Sequence, residues 1–210
     1  MINILIADDH QIIRSGLKHI VNETNDLVVA GEASNGYEVL AEISKNKYDV
    51  IVLDISMPGI NWLDTLKHIK SKSPNIPVLI LSIHPEDQFA VRALMAGASG
   101  YLTKESAPNE LIRAIRTIKT GKKYVSLSLA ENLAVNLGRD TEKPIHESLS
   151  DREYQVMTMI ANGKSMKEIA DSLSLSDKTI STYRSRILVK MKMKNNAELT
   201  RYAIKYGLVD

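Results

Sequence analysis

Ile2-Asn-Ile-Leu-Ile-Ala7 runs straight into Asp8-Asp9, and Asp49-Val-Ile-Val-Leu53 runs straight into Asp54; these two stretches decide the fold. Val78 to Leu81 breaks off in the same way at Ser82, and Gly100 to Thr103 at Lys104. Leu27 to Gly31 supplies a fifth β-rich run. Between the runs lie amphipathic, helix-like segments: Ile12 to Val21, Gly36 to Ser44, Trp62 to Lys70, Glu86 to Ala96 and Asn109 to Thr120. Strand alternating with helix predicts a parallel α/β sheet covered on both faces, because right-handed crossovers dispose the helices that way. The flavodoxin-like order 2-1-3-4-5 follows, and it brings the ends of the first and third strands to the switch point where such folds bind ligands.

The strand ends therefore deliver three carboxylates, a hydroxyl and an ammonium to one crevice. Carboxylates that close repel one another unless a cation neutralises them, and hard oxygen donors suit Mg²⁺. Asp54 is the expected phosphoryl acceptor, since a carboxylate can attack phosphorus when charge on the transferring group is neutralised. Asp9 and Asp54 are expected to hold the ion, with Asp8 assisting directly or through water. Lys104 would bring a mobile cation to the phosphoryl oxygens. Ser82 would donate a hydrogen bond to the attached group. His10 and His84 invite a metal or phosphohistidine reading, but each is read as an ordinary loop residue. Taken singly, an Asp after a strand is usually a turn former or helix cap; it is the joint arrangement that speaks for chemistry.

The chain of 210 residues exceeds a single typical domain, and 44% apolar with 25% charged residues is ordinary for a soluble globular protein. The absence of cysteine excludes disulfides and thiolate metal sites and fits a reducing compartment. No run approaches the roughly 18 apolar residues of a membrane span, so a cytoplasmic protein is expected. The net charge of +2 is uneven: residues 149–210 carry eleven Lys or Arg against seven Asp or Glu. A basic C-terminal module behind a mildly acidic N-terminal one points to a polyanion partner for the second.

After Gly121 the pattern changes. Ser126 to Leu137 reads as a short helix, and GRDTEKPIHES, residues 138–148, has linker composition. Beyond it Ser150-Asp-Arg-Glu153 is a capping-box pattern, followed by the stripe Val156, Met159 and Ile160 and by Gly163 as a stop. Lys167 to Leu173 forms a second helix, and Asp177 is expected to cap a third running to about Met193. Two short helices around a tight turn give the helix-turn-helix plan. On the third helix Ile180, Tyr183, Ile187 and Met191 should face inward, with Lys178, Ser181, Thr182, Ser185 and Val189 opposite. Six bases and no acid lie between Lys178 and Ala197, a bias suited to phosphates. The hydroxyls of Ser181, Thr182 and Ser185 are short enough to reach base edges in a major groove. Arg184 is expected in an internal ion pair with Glu153 or Glu168.

The set Asp8-Asp9, Asp54, Met57-Pro58-Gly59, Ser82 and Lys104, with Tyr101 in GYLTK, resembles the receiver domain of two-component response regulators over residues 1–120. The resemblance implies that a sensor histidine kinase or phosphotransfer protein supplies the phosphoryl group and that the Ser56 backbone carbonyl joins the magnesium shell. It also implies that Ser82 and Tyr101 couple phosphorylation to a surface change, and that Ser56 and His84 tune phosphate lifetime. The family's second loop glycine is replaced by Trp62, the chain's one tryptophan; an indole there is strained if that position needs positive φ, and otherwise it is a partner surface or a loop prop, of which the prop is expected. Residues 149–210, including LSDREYQVM and KMKMKNNAEL, resemble the DNA-binding domain of the NarL/FixJ (LuxR-type) regulators. By that resemblance Lys178, Thr179 and Arg186 hold phosphates of double-stranded DNA, Ser181, Thr182 and Ser185 read bases, and a final helix, Ala197 to Tyr206, supports homodimerisation.

The whole predicts a flavodoxin-like (βα)5 receiver (1–120), a linker with a short helix (121–148) and an all-α four-helix helix-turn-helix domain (149–210). The expected function is a transcriptional regulator switched by Mg²⁺-dependent phosphorylation, not an enzyme beyond self-catalysed phosphotransfer and dephosphorylation. Two rivals stand beside it. One is a regulator that binds DNA without phosphorylation. The other is a Mg²⁺-dependent aspartyl-phosphate phosphohydrolase, against which Ser56 stands where such enzymes commonly carry a second carboxylate.

Overall fold

The computed structural model describes residues 1–83, 86–126, 129–130, 144–173 and 175–209. They fall into two compact units, Met1–Gly138 and Arg139–Asp210.

In the first unit five parallel strands, β1 (Ile2–Ala7), β2 (Leu27–Ala33), β3 (Val50–Asp54), β4 (Val78–Ser82) and β5 (Gly100–Thr103), stand in the order β2-β1-β3-β4-β5. The expected sheet order is the one found. Helices α1 (Gln11–Asn22), α2 (Gly36–Lys45), α3 (Trp62–Lys72), α4 (Glu86–Met95) and α5 (Ala107–Lys119) follow the strands in turn. Alternation along the strands sends Ile4, Ile6, Val50, Val52, Leu79, Leu81 and Leu102 into one core with Leu17 and Val21 of α1 and Leu111, Ile115 and Ile118 of α5. Each such aliphatic side chain contributes about 2 kcal/mol when fully buried, so the strand ends project from a rigid base.

Three boundaries differ from the sequence reading in a way that matters. β3 extends through Asp54, which registers with Leu81, and β4 extends through Ser82, which registers with Thr103. Both side chains are therefore carried by the ladder itself and not by the loops beyond it. Helix α5 begins at Ala107 because Pro108, lacking an N–H, sits comfortably in a first helical turn. Trp62 opens α3 and is buried, with no positive φ; Gly59 alone supplies that conformation in the loop, at +88°. The indole is a loop prop without backbone strain.

Past α5 the chain still pairs with β5: the Tyr124 N–H donates to the Ser99 carbonyl (2.9 Å) and the Tyr101 N–H to the Tyr124 carbonyl (3.2 Å). The expected helix from Ser126 to Leu137 is described only at residues 126 and 129–130, the last two helical; its remaining residues lie outside the described ones.

The described part of the second unit holds a 3-10 turn, Ile145–Ser148, followed by α6 (Asp151–Ala161), α7 (Met166–Leu173), α8 (Asp177–Lys190) and α9 (Asn196–Lys205). The capping box on α6 is present: the Glu153 N–H donates to Ser150 Oγ, and the Ser150 N–H to Glu153 Oε2 (2.8 Å). Gly163, with φ +80°, follows the helix end. The buried stripe of α6 is Val156, Met157 and Ile160, with Met159 only half-buried. Helix α8 is capped by Ser176, whose Oγ accepts the Thr179 N–H (3.1 Å), and not by Asp177; the carboxylate instead lies in the first turn, where the helix dipole favours it. Among the described residues no helix is long and apolar enough to cross a membrane.

Candidate functional site

The crevice at the C-terminal ends of β1, β3 and β5 is a buried charge cluster. Asp8 and Asp54 are both fully buried. Lys104, which follows β5, bridges them with Nζ 2.6 Å from Asp8 Oδ2 and 2.9 Å from Asp54 Oδ2. The Lys104 N–H donates to the Ser82 carbonyl (2.7 Å), which ties the lysine to the end of β4, and Ser82 itself is fully buried. Burial pushes the Asp54 carboxyl up from 3.8 to about 6, against the pull of Lys104, and neighbouring Asp8 adds to the rise. Burial opposes the charge on Lys104, but Asp54 and Asp8 outweigh it and hold its pKa above the ordinary lysine value. Asp54 Oδ1 accepts the Ser56 N–H (3.1 Å), so the residue two places on helps to orient the carboxylate.

Asp9, more exposed than its neighbour, completes the acidic set. One ligand atom from each of Asp8, Asp9, His10 and Asp54 lies within 4.8 Å of the others. Asp8 Oδ2 faces the Lys104 ammonium at 2.6 Å and has no other polar partner among the described residues. A buried anionic oxygen with spare lone pairs among other carboxylates is a donor set that fits a hard divalent cation such as Mg²⁺.

His10, read as an ordinary loop residue, and Arg14, which the sequence reading did not single out, both reach the acid pair. His10 points Nδ1 at Asp9 Oδ1 (2.8 Å) and Asp8 Oδ1 (3.4 Å). Arg14, one turn into α1, donates from Nη1 to the Asp8 carbonyl (2.7 Å) while Nε meets Glu32 Oε2 (3.4 Å). Adjacency to the acid pair was a signal for His10; a side chain reaching a backbone carbonyl leaves none for Arg14. His84 lies outside the described residues. Tyr101 is fully buried on β5, opposite Ile80 of β4, and its N–H reaches Tyr124 as described above.

In the second unit the outer face of α8 presents Lys178, Ser181, Thr182, Ser185 and Arg186 to solvent, with Thr179 half-buried. Lys178, Thr179, Thr182 and Arg186 line one open concavity together with Ser176 and Tyr183. Tyr183, expected inside with Ile180 and Ile187, lies at the border of the buried stripe: three residues on from Ile180 is about 60° off its centre at 100° per residue. The Thr182 hydroxyl donates to the Lys178 carbonyl (2.9 Å) and the Ser185 hydroxyl to the Ser181 carbonyl (3.0 Å). Each keeps its oxygen lone pairs outward as acceptors.

The expected pairing of Arg184 with Glu153 or Glu168 is not found. Arg184 Nε donates to Asn196 Oδ1 (2.7 Å), linking α8 to the start of α9. Both acids are occupied elsewhere: Glu168 accepts from the Ser165 N–H and hydroxyl, and Glu153 closes its capping box while accepting from Lys190 Nζ (2.6 Å).

Residues 4–116 match the response regulator receiver domain, and residues 147–203 the luxR family of bacterial regulatory proteins. Response regulator UvrY of Escherichia coli (strain K12) is 37% identical over 210 residues, covering 99% of this chain and 96% of its own. Response regulator GacA of Pseudomonas aeruginosa is 36% identical over 212 residues, covering 100% of this chain and 99% of its own. Among solved structures, RcsB of Salmonella enterica serovar Typhimurium bound to the promoter rprA with the phosphomimetic BeF3- aligns along all of both chains, at 25% identity and a TM-score of 0.66. With both units matched in order and relatives similar from end to end, the chain belongs to the two-component response regulators that join a receiver domain to a LuxR-type helix-turn-helix DNA-binding domain.

Proposed function

We propose that this regulator stores one phosphoryl group on Asp54 and converts it into a change in DNA binding. The observation that carries this reading is the buried Asp54–Lys104–Asp8 triad, in which an acceptor carboxylate is held beside a cation inside the low-dielectric end of the sheet. An Asp54 oxygen attacks the phosphorus of a phosphohistidine on a sensor kinase or phosphotransfer protein; the P–N bond breaks, the histidine leaves, and an acyl phosphate remains. Lys104 turns from the carboxylate to the new phosphoryl oxygens, and Ser82 donates its hydroxyl to them. Asp8, Asp9 and Asp54, with the Ser56 carbonyl, would hold Mg²⁺, which when bound neutralises charge on the transferring group. The chain is then a phosphoacceptor with self-catalysed phosphotransfer and dephosphorylation and no separate substrate.

Ser82 and Tyr101 stand on adjacent strands, and the Tyr101 N–H donates to the carbonyl of Tyr124, beyond the end of α5. This placement supports a switch in which phosphorylation shifts an existing conformational equilibrium and promotes dimerisation or release of the second unit. The receiver (1–120), linker (121–148) and DNA-binding domain (149–210) are the working parts, acting in the cytoplasm. Lys178, Thr179 and Arg186 take DNA phosphates, while Ser181, Thr182 and Ser185 read bases; Thr182 and Ser185, whose protons are engaged within the helix, accept from base amino groups. A solved RcsB structure with two dimers bound to two parallel DNAs supports a homodimer on double-stranded DNA.

Incubation with a small phosphoryl donor and Mg²⁺ should add one phosphoryl group to the wild-type chain, located at Asp54 by peptide mass mapping, and none to Asp54→Ala. A wild-type chain that stays unlabelled, or a variant that labels equally, rejects Asp54 as acceptor.

A further inference from the structure

We propose that the acidic crevice also takes first-row transition cations of the nickel and zinc type, using His10 as a nitrogen donor, and holds them more tightly than magnesium. The inference rests on the crevice being a cation site. His10 Nδ1 lies 2.8 Å from Asp9 Oδ1 and 3.4 Å from Asp8 Oδ1, and a ligand atom of Asp54 falls within the same 4.8 Å span. Adjacent donors around an octahedral cation with bonds of about 2.1 Å stand about 3 Å apart, and opposite ones about 4.2 Å. The nitrogen and the Asp9 and Asp8 oxygens therefore stand at the spacing of adjacent donors, and the Asp54 oxygen comes into the same shell with a shift of about half an ångström. The His10 N–H donates to Asp8 Oδ1 (2.8 Å), which fixes the backbone under the ring, while the imidazole side chain remains 62% exposed and open to an arriving ion.

The donor set decides which ions gain. Magnesium prefers oxygen and gives up its water reluctantly, so an imidazole adds little to its binding. Nickel, copper and zinc bind imidazole well, and mixed nitrogen and carboxylate sets favour them over harder ions. A different account of the same contacts makes the ring only an imidazolium partner of Asp8 and Asp9. On that account its removal leaves the acids freer, and all divalent cations bind as well or better.

Calorimetric titration of the chelator-treated full chain at pH 7.5 separates the two, with Mg²⁺ and Ni²⁺ as probes. Wild type, His10→Ala, His10→Gln and Asp54→Asn are compared. The expected result is that Ni²⁺ binds at least about tenfold more tightly than Mg²⁺ to wild type and loses at least about tenfold in both His10 variants. Mg²⁺ affinity should stay within about twofold in those variants, and Asp54→Asn should weaken both ions, which places them in one crevice. Ni²⁺ affinity unchanged or raised without His10 overturns the proposal, as does parallel loss of both ions. If neither ion binds wild type, the cation reading fails and this inference with it. If Ni²⁺ binds through His10 while Asp54 takes no phosphoryl label, the inference stands and the phosphorylation reading alone fails.

Discussion

The crevice of the receiver and the outer face of α8 carry opposite charge and are built in opposite ways. In the crevice two fully buried carboxylates share one ammonium; on α8 the bases stand in solvent around a ring of hydroxyls. The buried arrangement makes each charge depend on the others, because an unpaired charge in low dielectric costs several kcal/mol. The exposed arrangement makes the charges nearly independent for stability and additive for binding. A switch belongs in the first setting, where one added group alters every neighbour. A polyanion grip belongs in the second.

The largest expected effect follows from breaking the shared ammonium. Lys104→Met should lower the unfolding free energy by about 3 kcal/mol in chelator-containing buffer, whereas Lys178→Ala on α8 should change it by less than about 0.5 kcal/mol. Denaturant titration of the two variants reads the contrast directly, and equal losses would show that the crevice is not energetically special.

Asp54→Asn probes the same cluster from the acid side. Below pH 3.8 the carboxyl is protonated in folded and unfolded chains alike. Between 3.8 and about 6 the folded chain keeps the proton that the unfolded chain has lost, so the contribution of Asp54 to stability falls as pH rises and levels off above about 6. A rise from 3.8 to about 6 corresponds to about 3 kcal/mol against the ionised form. Asn escapes this penalty, and the variant should exceed wild type by an amount that opens between pH 4 and 7 in chelator. A difference independent of pH would assign the effect to packing and not to charge.

On α8 the comparison is sharpened by separating grip from reading. Loss of Lys178 or Arg186 should weaken every duplex by about 1 kcal/mol and reduce the salt slope by about one. Thr182→Ala should alter sequence preference in a binding-site selection while leaving the salt slope in place. A uniform effect from all three refutes the base-reading role.

The smallest expected effect concerns Lys192, the one described non-glycine residue with positive φ, at 55° just past the end of α8. Lys192→Gly should relieve that strain and raise stability by about 0.5 kcal/mol, less than a free turn would gain because glycine also loosens the unfolded chain. Thermal unfolding checks it.

How far these regions could be read in advance also differs. The sheet order and the crevice were legible because buried runs ending in Asp, Ser and Lys allow few alternatives once strands alternate with helices. The face of α8 was legible in outline from its 100° spacing, but Tyr183 sits where that rule is indifferent. What stayed hidden were contacts made by residue types that are ordinarily solvated: Arg14 on the Asp8 carbonyl, Lys190 on Glu153, Arg184 on Asn196. Lys190 and Glu153 are 37 residues apart, Arg184 and Asn196 lie on successive helices, and for Arg14 the partner is backbone, so no pattern marks them. The cap of α8 was missed by one residue because Ser176 and Asp177 are both good caps and only the backbone geometry chooses.

On this reading the buried crevice controls the exposed grip. The most direct test measures affinity for one selected DNA duplex, at fixed salt, before and after stoichiometric phosphorylation, with Asp54→Ala treated in parallel. Affinity and oligomeric state should shift in the wild-type chain and remain unchanged in Asp54→Ala. Labelled wild type that binds DNA and assembles as the unlabelled chain does would contradict the account.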